Sequence, residues 1–247
     1  DITKANPDIP VWVNDLYVPL YNFWVQLRDR GEELSERVRH EKQKTLDEGD
    51  PDKITAKAKE LFNKYKAEID TYDDFEKAVA FFIMNKCSYS GLTENSTFSQ
   101  TASNSNFSLV GADKLAKFSE LIKNWKITNI DYSEVMKAKG YADTFIFLDP
   151  PYDIKDFLYG KNREMHKSFD HDLFADNVST CIHKFMITYN LNDRLLDLYK
   201  NYNLKEWKLR YSMAHRGDKG TNENIKTELL VTNYEVNPTN TLQEMLY

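Results

Sequence analysis

Glycine is scarce in this chain: eight residues of 247, at Gly31, Gly49, Gly91, Gly111, Gly140, Gly160, Gly217 and Gly220. Only Gly217 and Gly220 lie near one another, so these residues contain neither a Gly-x-Gly-x-x-Gly dinucleotide loop nor a Walker phosphate loop. Cysteine is scarcer still. Cys87 and Cys181 are far apart without Cys-x-x-Cys spacing, which points away from a disulfide framework or a structural zinc site and toward free thiols in a reducing cytosol. Long apolar runs are missing too. The longest, Ala78–Met84 and Thr144–Leu148, are far shorter than the roughly 20 residues of a bilayer-spanning helix. The N-terminus lacks the basic, apolar, small-residue order of a signal peptide. A net charge of −6 argues against a chain-wide grip on nucleic acid and leaves a local basic face open. What is there is ordinary for a soluble, cytoplasmic chain with one large core: 41% hydrophobic and 29% charged residues. Residue 1 is Asp1 rather than methionine, so the chain is expected to be processed, trimmed or cut from a longer protein.

Periodicity organises the rest. Pro10–Asp15 reads as a short buried strand, and Leu20, Phe23, Trp24 and Leu27 then recur on one helical face. A charge-rich stretch, Gly31–Asp74, carries a second helical stripe of Ile54, Ala58, Leu61, Phe62, Tyr65 and Ile69. Ala78–Asn85 reads as a buried helix, and Cys87–Ser108, dense in Ser, Thr and Asn, as a long loop. Leu115–Lys126 returns to helix. Strand-like runs follow at Ile127–Asp131, Thr144–Leu148, Lys184–Asn190, Leu204–Met213 and Glu228–Asn233, with helical patterns at Phe174–His183 and Asp193–Tyr199. Strand–helix–strand alternation predicts an α/β fold with a largely parallel sheet, interrupted by a mostly helical insertion of about ninety residues, far beyond an ordinary connection.

One tetrapeptide carries chemistry: Asp149-Pro150-Pro151-Tyr152, directly after the apolar run Thr144–Leu148. Its chance occurrence in a chain of this size is on the order of one in a thousand. The end of a buried strand is where open α/β sheets place their ligand sites. The prolines stiffen the turn and remove backbone donors, leaving carbonyls as acceptors. The Asp149 carboxylate beside the Pro150 carbonyl suits the two hydrogens of an exocyclic amine, and Tyr152 offers a face on which a planar base can stack. Holding both amine hydrogens localises the nitrogen lone pair and aims it at an electrophile, which is catalysis by positioning and electrostatics.

With these residues in view, the chain resembles the Dam-like DNA adenine-N6 methyltransferases, over nearly its whole length and most closely their phage-type members. Val13-Asn14-Asp15-Leu16, followed by Leu20–Arg28, looks like the family's second cofactor motif. Asp131-Tyr132 looks like its "DF" station, with Tyr for Phe, and Asp149–Tyr152 matches its catalytic motif. Thr227–Tyr234 resembles the closing strand. The resemblance implies a Rossmann-like methyltransferase sheet, mostly parallel with an antiparallel last strand, in residues 1–30 and 125–247. It implies a mostly helical inserted target-recognition region over residues 31–124. It further implies S-adenosylmethionine as cofactor, with Asp15 on its ribose hydroxyls, Asp131 and Tyr132 at its adenine, and Asp149 adjoining. Asp149, Pro150, Pro151 and Tyr152 would be the catalytic set, acting on an adenine extruded from the duplex. Taken singly, Asn14-Asp15 also reads as a helix cap and Asp131 as a strand-end turn residue.

Double-stranded DNA is the implied partner of a monomeric enzyme, contacted by Asn85, Tyr89, Ser90 and Phe98 in the polar stretch. Arg210, Arg216 and Lys219, with His215, form a basic stretch suited to phosphates. The polar stretch departs from the arginine-rich version of the Dam proteins proper, so their GATC site is not carried over. His166, Phe169 and His171 fall in the loop that covers the flipped base in the family. No cysteine or carboxylate triad accompanies the two histidines, and no metal is expected. The family's lysine-containing motif and glycine-rich cofactor loop, which precede the equivalent of Val13–Asp15, are not among these residues. The natural protein is therefore expected to be several tens of residues longer. Two other readings stand beside this one: an amino-methyltransferase acting on RNA or protein, and a binding-only or inactive DNA-binding fragment. The biological setting, whether restriction-modification, phage self-protection or regulation, is not encoded in any motif here.

Overall fold

A computed structural model describes residues 2–89, 97–140, 143–152, 169–210 and 225–236. The chain divides into two compact units, one covering Asp1–Asp131 and the other beginning at Tyr132.

The first unit holds a short parallel pair, β1 (Trp12–Asn14) and β2 (Lys126–Thr128), in the register Trp12↔Lys126 and Asn14↔Thr128. Around it stand α1 (Ile2–Ala5), α2 (Val18–Leu46), α3 (Pro51–Glu68), α4 (Asp74–Cys87), α5 (Gln100–Asn106) and α6 (Leu109–Ile122). Side-chain caps set most of the starts. Asp50, Asp73, Ser99 and Ser108 each accept backbone N–H groups from the first turn of α3, α4, α5 and α6. The core gathers Phe23, Leu27, Leu34, Val38, Phe62 and Phe107 around α4, whose Ala78–Met84 run is buried throughout, as its unbroken apolarity predicts. Helix α2 kinks at Arg30 (φ −137°, ψ 36°) and packs on α6 so closely that a Cβ at Gly31 would lie 2.1 Å from that of Ser119. Glycine is required there by contact, not by dihedral angle.

Helix α2 runs through residues 30 and 31, and past its kink the buried face continues through Gly31, Leu34, Ser35 and Val38. One expectation needs correction. The polar stretch Cys87–Ser108 is not all loop. Ser99 caps α5, Ser88 bridges Phe98, the Ser99 N–H donates to the Cys87 carbonyl at 2.8 Å, and Phe107 is wholly buried.

The second unit is a four-stranded sheet in the order β3-β4-β6-β5, formed by β3 (Phe145–Leu148), β4 (Lys184–Asn190), β5 (Asn203–Arg210) and β6 (Ile225–Thr232). Strands β3 and β4 are parallel, and β6 is antiparallel to both β4 and β5. Three strands therefore share one direction and the last runs against them. The interior strands β4 and β6 are buried on both faces, through Phe185, Met186 and Ile187 and through Leu229, Leu230 and Val231. The described helices of this unit are α7 (Tyr132–Lys137), α8 (His171–Ser179) and α9 (Asp193–Leu198). Asp170 caps α8 and Asn192 caps α9. His171, expected in a loop, is the first residue of α8, buried with its Nδ1 3.0 Å from the Tyr189 hydroxyl. The protein is thus a mixed α/β chain with parallel and antiparallel pairings, and its described strands form two sheets where one was expected.

Candidate active site

Both units place carboxylates just past strand ends. In the first, β1 runs out at Asn14 and β2 at Thr128. The Asp15 N–H donates to the Thr128 carbonyl at 3.2 Å, extending the ladder by one residue. Asp15 Oδ1 accepts the Tyr17 N–H at 2.8 Å, a tight turn that feeds the chain into α2. This satisfies the helix-cap reading in part, since Tyr17, not Asp15, is the cap residue of α2.

Asn14 locks this edge. Its Nδ2 donates to the Ile130 carbonyl at 2.9 Å, and its Oδ1 accepts both the Ile130 N–H at 3.1 Å and the Thr128 hydroxyl at 2.8 Å. The Asn129 amide returns the favour, donating to the Asp15 carbonyl at 2.7 Å. The structure therefore brings half-buried Asp15 and exposed Asp131 to the carboxyl ends of two neighbouring parallel strands, where ligands of α/β sheets bind. Trp12 stiffens the pair from behind: its Nε1 donates to Thr128 Oγ1 at 2.8 Å, and the Lys126 ammonium lies 3.4 Å from the centre of its ring.

In the second unit, β3 ends at buried Leu148 and the next residue, Asp149, emerges exposed while Pro150 turns back into the interior. Leu148 pairs with Ile187, so Thr188 stands one step further along β4, and its hydroxyl donates to Asp149 Oδ1 at 2.8 Å. Tyr152 is half-buried, and its hydroxyl donates to Glu228 Oε2 at 2.5 Å. Tyr132 and Tyr152 both pack against this unit's core. Tyr132 meets Phe174 edge-on, centroids 5.0 Å apart, and Phe169 at 5.8 Å. Chemically, one edge offers carboxylate acceptors for vicinal hydroxyls or an amine. The other offers a pinned carboxylate, a proline carbonyl and an aromatic face.

The residues expected at DNA divide. Asn85 is half-buried near the end of α4, and Tyr89 beyond it is 59% exposed. Phe98 packs edge-on against Phe62 in the first core, centroids 5.9 Å apart. The backbone of Arg210 ends β5 opposite Ile225. Ser90, Arg216 and Lys219 lie outside the described residues, as does His166. Among the described residues no three His, Cys, Asp or Glu side chains gather as metal ligands, and no helix is long and apolar enough to cross a membrane.

Sequence reasoning missed three residues that hold the site: Asn14 in its clamping role, Thr188 and Glu228. Only Glu228 left a trace, as a charged residue entering the apolar run Leu229–Val231. No curated protein matches the chain. The family model for D12 class N6 adenine-specific DNA methyltransferases matches residues 3–213.

Proposed function

The chain belongs to the D12 class N6 adenine-specific DNA methyltransferase family, and from that premise we propose how its own residues carry out adenine-N6 methylation of DNA. Asp15 accepts the ribose hydroxyls of S-adenosylmethionine, and Asp131 with Tyr132 meets its adenine. The acceptor set supports this: two carboxylates past neighbouring strand ends match the vicinal hydroxyls and the exocyclic amine. The cofactor supplies an electrophilic methyl group on sulfonium sulfur. Asp149 and the Pro150 carbonyl hold the N6 hydrogens of an adenine turned out of double-stranded DNA, and Tyr152 stacks on its ring. The N6 lone pair is thereby aimed at the methyl carbon, without a covalent enzyme intermediate.

The observation that carries this reading is the Asp149 carboxylate, exposed at the carboxyl end of β3 and oriented by Thr188 at 2.8 Å. An acceptor fixed in direction and open to a ligand is what gripping an amine demands. We assign the catalytic part to residues 1–30 and 125–247, Rossmann-like in class with β6 as the reversed last strand, and the reading of the target to residues 31–124. Within that region exposed Tyr89 is suited to wedge into a base stack, and Asn85, Ser90 and Phe98 are assigned to DNA with it. Arg210, Arg216 and Lys219 contact phosphates. We place the protein in the cytoplasm as a monomer.

Asp149→Ala tests the assignment. Methyl transfer to duplex DNA should fall by at least about 10²-fold, as for loss of a group aimed at the reacting atoms. Because Asp149 is exposed, stability should change by no more than about 0.5 kcal/mol. Labelled methyl should enter duplex DNA in preference to RNA or protein. Unchanged transfer in the variant would remove Asp149 from the mechanism.

A further inference from the structure

Glu228 is only 2% exposed, on an interior strand whose next three residues, Leu229, Leu230 and Val231, are all buried and apolar. A carboxylate in such a place is costly, because desolvation takes several kcal/mol that an apolar residue would not lose. The register neighbours of Glu228 are Asn190 on β4 and Trp207 on β5. What Glu228 does make is a hydrogen bond from the Tyr152 hydroxyl at 2.5 Å, in the short range of charge-assisted O–H···O contacts. Tyrosine has only two side-chain torsions. With its ring packed on the core and its hydroxyl held at the far end, both are set.

We propose that Glu228 is a positioning residue for methyl transfer, holding the Tyr152 ring in the plane on which the target adenine stacks. The proposal rests on the reading of Asp149–Tyr152 as the base-binding tetrapeptide. The neighbouring strand does the same for the other half of that tetrapeptide. Thr188 on β4 orients Asp149, and Asn190, two residues on, is the register partner of Glu228. Adjacent strands thus fix the carboxylate and the ring separately, so that the angle between amine grip and stacking face is set by the sheet and not by the proline turn alone. Misplacing a reacting group by about 1 Å can cost on the order of 10²-fold in rate, which is the scale such an anchor protects.

The test uses the full chain with duplex DNA and saturating S-adenosylmethionine, comparing Glu228→Gln, Tyr152→Phe, the double variant and Asp149→Ala. Glu228→Gln keeps the shape and removes the charge; Tyr152→Phe keeps the ring and removes the donor. Each should lower kcat about 10- to 100-fold while the dissociation constant for S-adenosylmethionine, measured by calorimetry, stays within twofold. The double variant should be no slower than the slower single variant, because both remove one contact. A residue with a merely structural role would move the melting temperature without this non-additivity. Tyr152→Phe keeps the test alive if Glu228→Gln fails to fold. Wild-type kcat in Tyr152→Phe, or losses that multiply in the double variant, would overturn the proposal. Loss of activity in Asp149→Ala alone would sink the Glu228 role and leave the tetrapeptide reading standing. Full activity in Asp149→Ala would sink the reading beneath it.

Discussion

Asn14→Ala should destabilise the first unit and weaken the cofactor together. Asn14 makes three hydrogen bonds, at 2.9, 3.1 and 2.8 Å, two to the Ile130 backbone and one to Thr128 at the end of β2. Alanine deletes all three and strands both polar groups of the Ile130 backbone. Each bond is worth about 0.5–1.5 kcal/mol net, and in a half-buried site water recovers part of that. The sum is about 2–3 kcal/mol. In a unit of this size each kcal/mol moves the melting temperature by roughly 3–4 °C, so the transition of that unit should drop by about 6–12 °C. Asp131 follows Ile130 directly, so its carboxylate should lose its place as well, and affinity for S-adenosylmethionine should fall about tenfold, the low end for a hydrogen bond to a charged group.

A control separates the two effects. Trp12→Phe removes the Nε1 contact to Thr128 on the same strand pair without touching Ile130. It should cost about 1 kcal/mol and leave cofactor affinity unchanged. Unfolding is followed by calorimetry, which resolves two transitions if the units melt separately, and binding by titration at a temperature where each variant is folded. An Asn14→Ala chain melting within 1 °C of the parent would refute the clamp. A chain destabilised as expected but binding normally would refute its link to Asp131.

Two further outcomes follow from the first unit's polar interior. Arg37 contacts buried Glu41, and also Glu76 at 2.5 Å and the Tyr65 hydroxyl at 3.2 Å. Burial pushes the Glu41 carboxyl up, but Arg37 and Lys44 outweigh it and hold it below its ordinary value, so its contribution is present above about pH 4.3 and lost as pH falls through the lower folded value. Arg37→Met should therefore cost about 2–3 kcal/mol at pH 7, a gap from the parent that narrows between pH 5 and pH 3 in urea titrations; a gap independent of pH would contradict it. Burial also pushes the Cys87 thiol up, to about 11, with Ser103 and Lys42 opposing only in part. At pH 8 iodoacetamide should label half-buried Cys181 and spare Cys87 until urea is added, and rapid double labelling of the native chain would count against this core.

The elements that sequence made legible are those whose burial is written in apolar residues. Ala78–Met84 is apolar at every position and is buried at every position. Helix α2 shows the converse. Its first half announces itself through Leu20, Phe23, Trp24 and Leu27, yet the same face continues through Gly31, Ser35, Glu41, Lys42 and Thr45. Those residues are buried by specific partners: the Ser35 hydroxyl donates to the Ala112 carbonyl at 2.9 Å, and the Lys42 ammonium lies 4.9 Å from the Phe107 ring centre. Hydrophobic periodicity fades there while packing does not. Helix α5 was illegible for a related reason. Ser, Thr and Asn favour turns in isolation, and only the Ser99 cap and the burial of Ser103 and Phe107 tip them into a helix.

The site divides along the same line. Asp15, Asp131 and Asp149 are readable as carboxylates because each follows a strand-like run, and strand ends are local. Their holders are set by register, which is not local. Asn14 and Ile130 are 116 positions apart, Thr188 and Asp149 39, Tyr152 and Glu228 76. Thr188 meets Asp149 only because Leu148 pairs with Ile187; a slip of one residue would bring Ile187 or Tyr189 there and turn the hydroxyl to the other face. The same arithmetic sets Glu228 opposite Asn190. Two registers, that of β3 with β4 and that of β4 with β6, thus decide whether the tetrapeptide keeps its two anchors. The apolar pattern of Phe185–Ile187 and Leu229–Val231, which serves the core, is therefore also what aligns the chemistry.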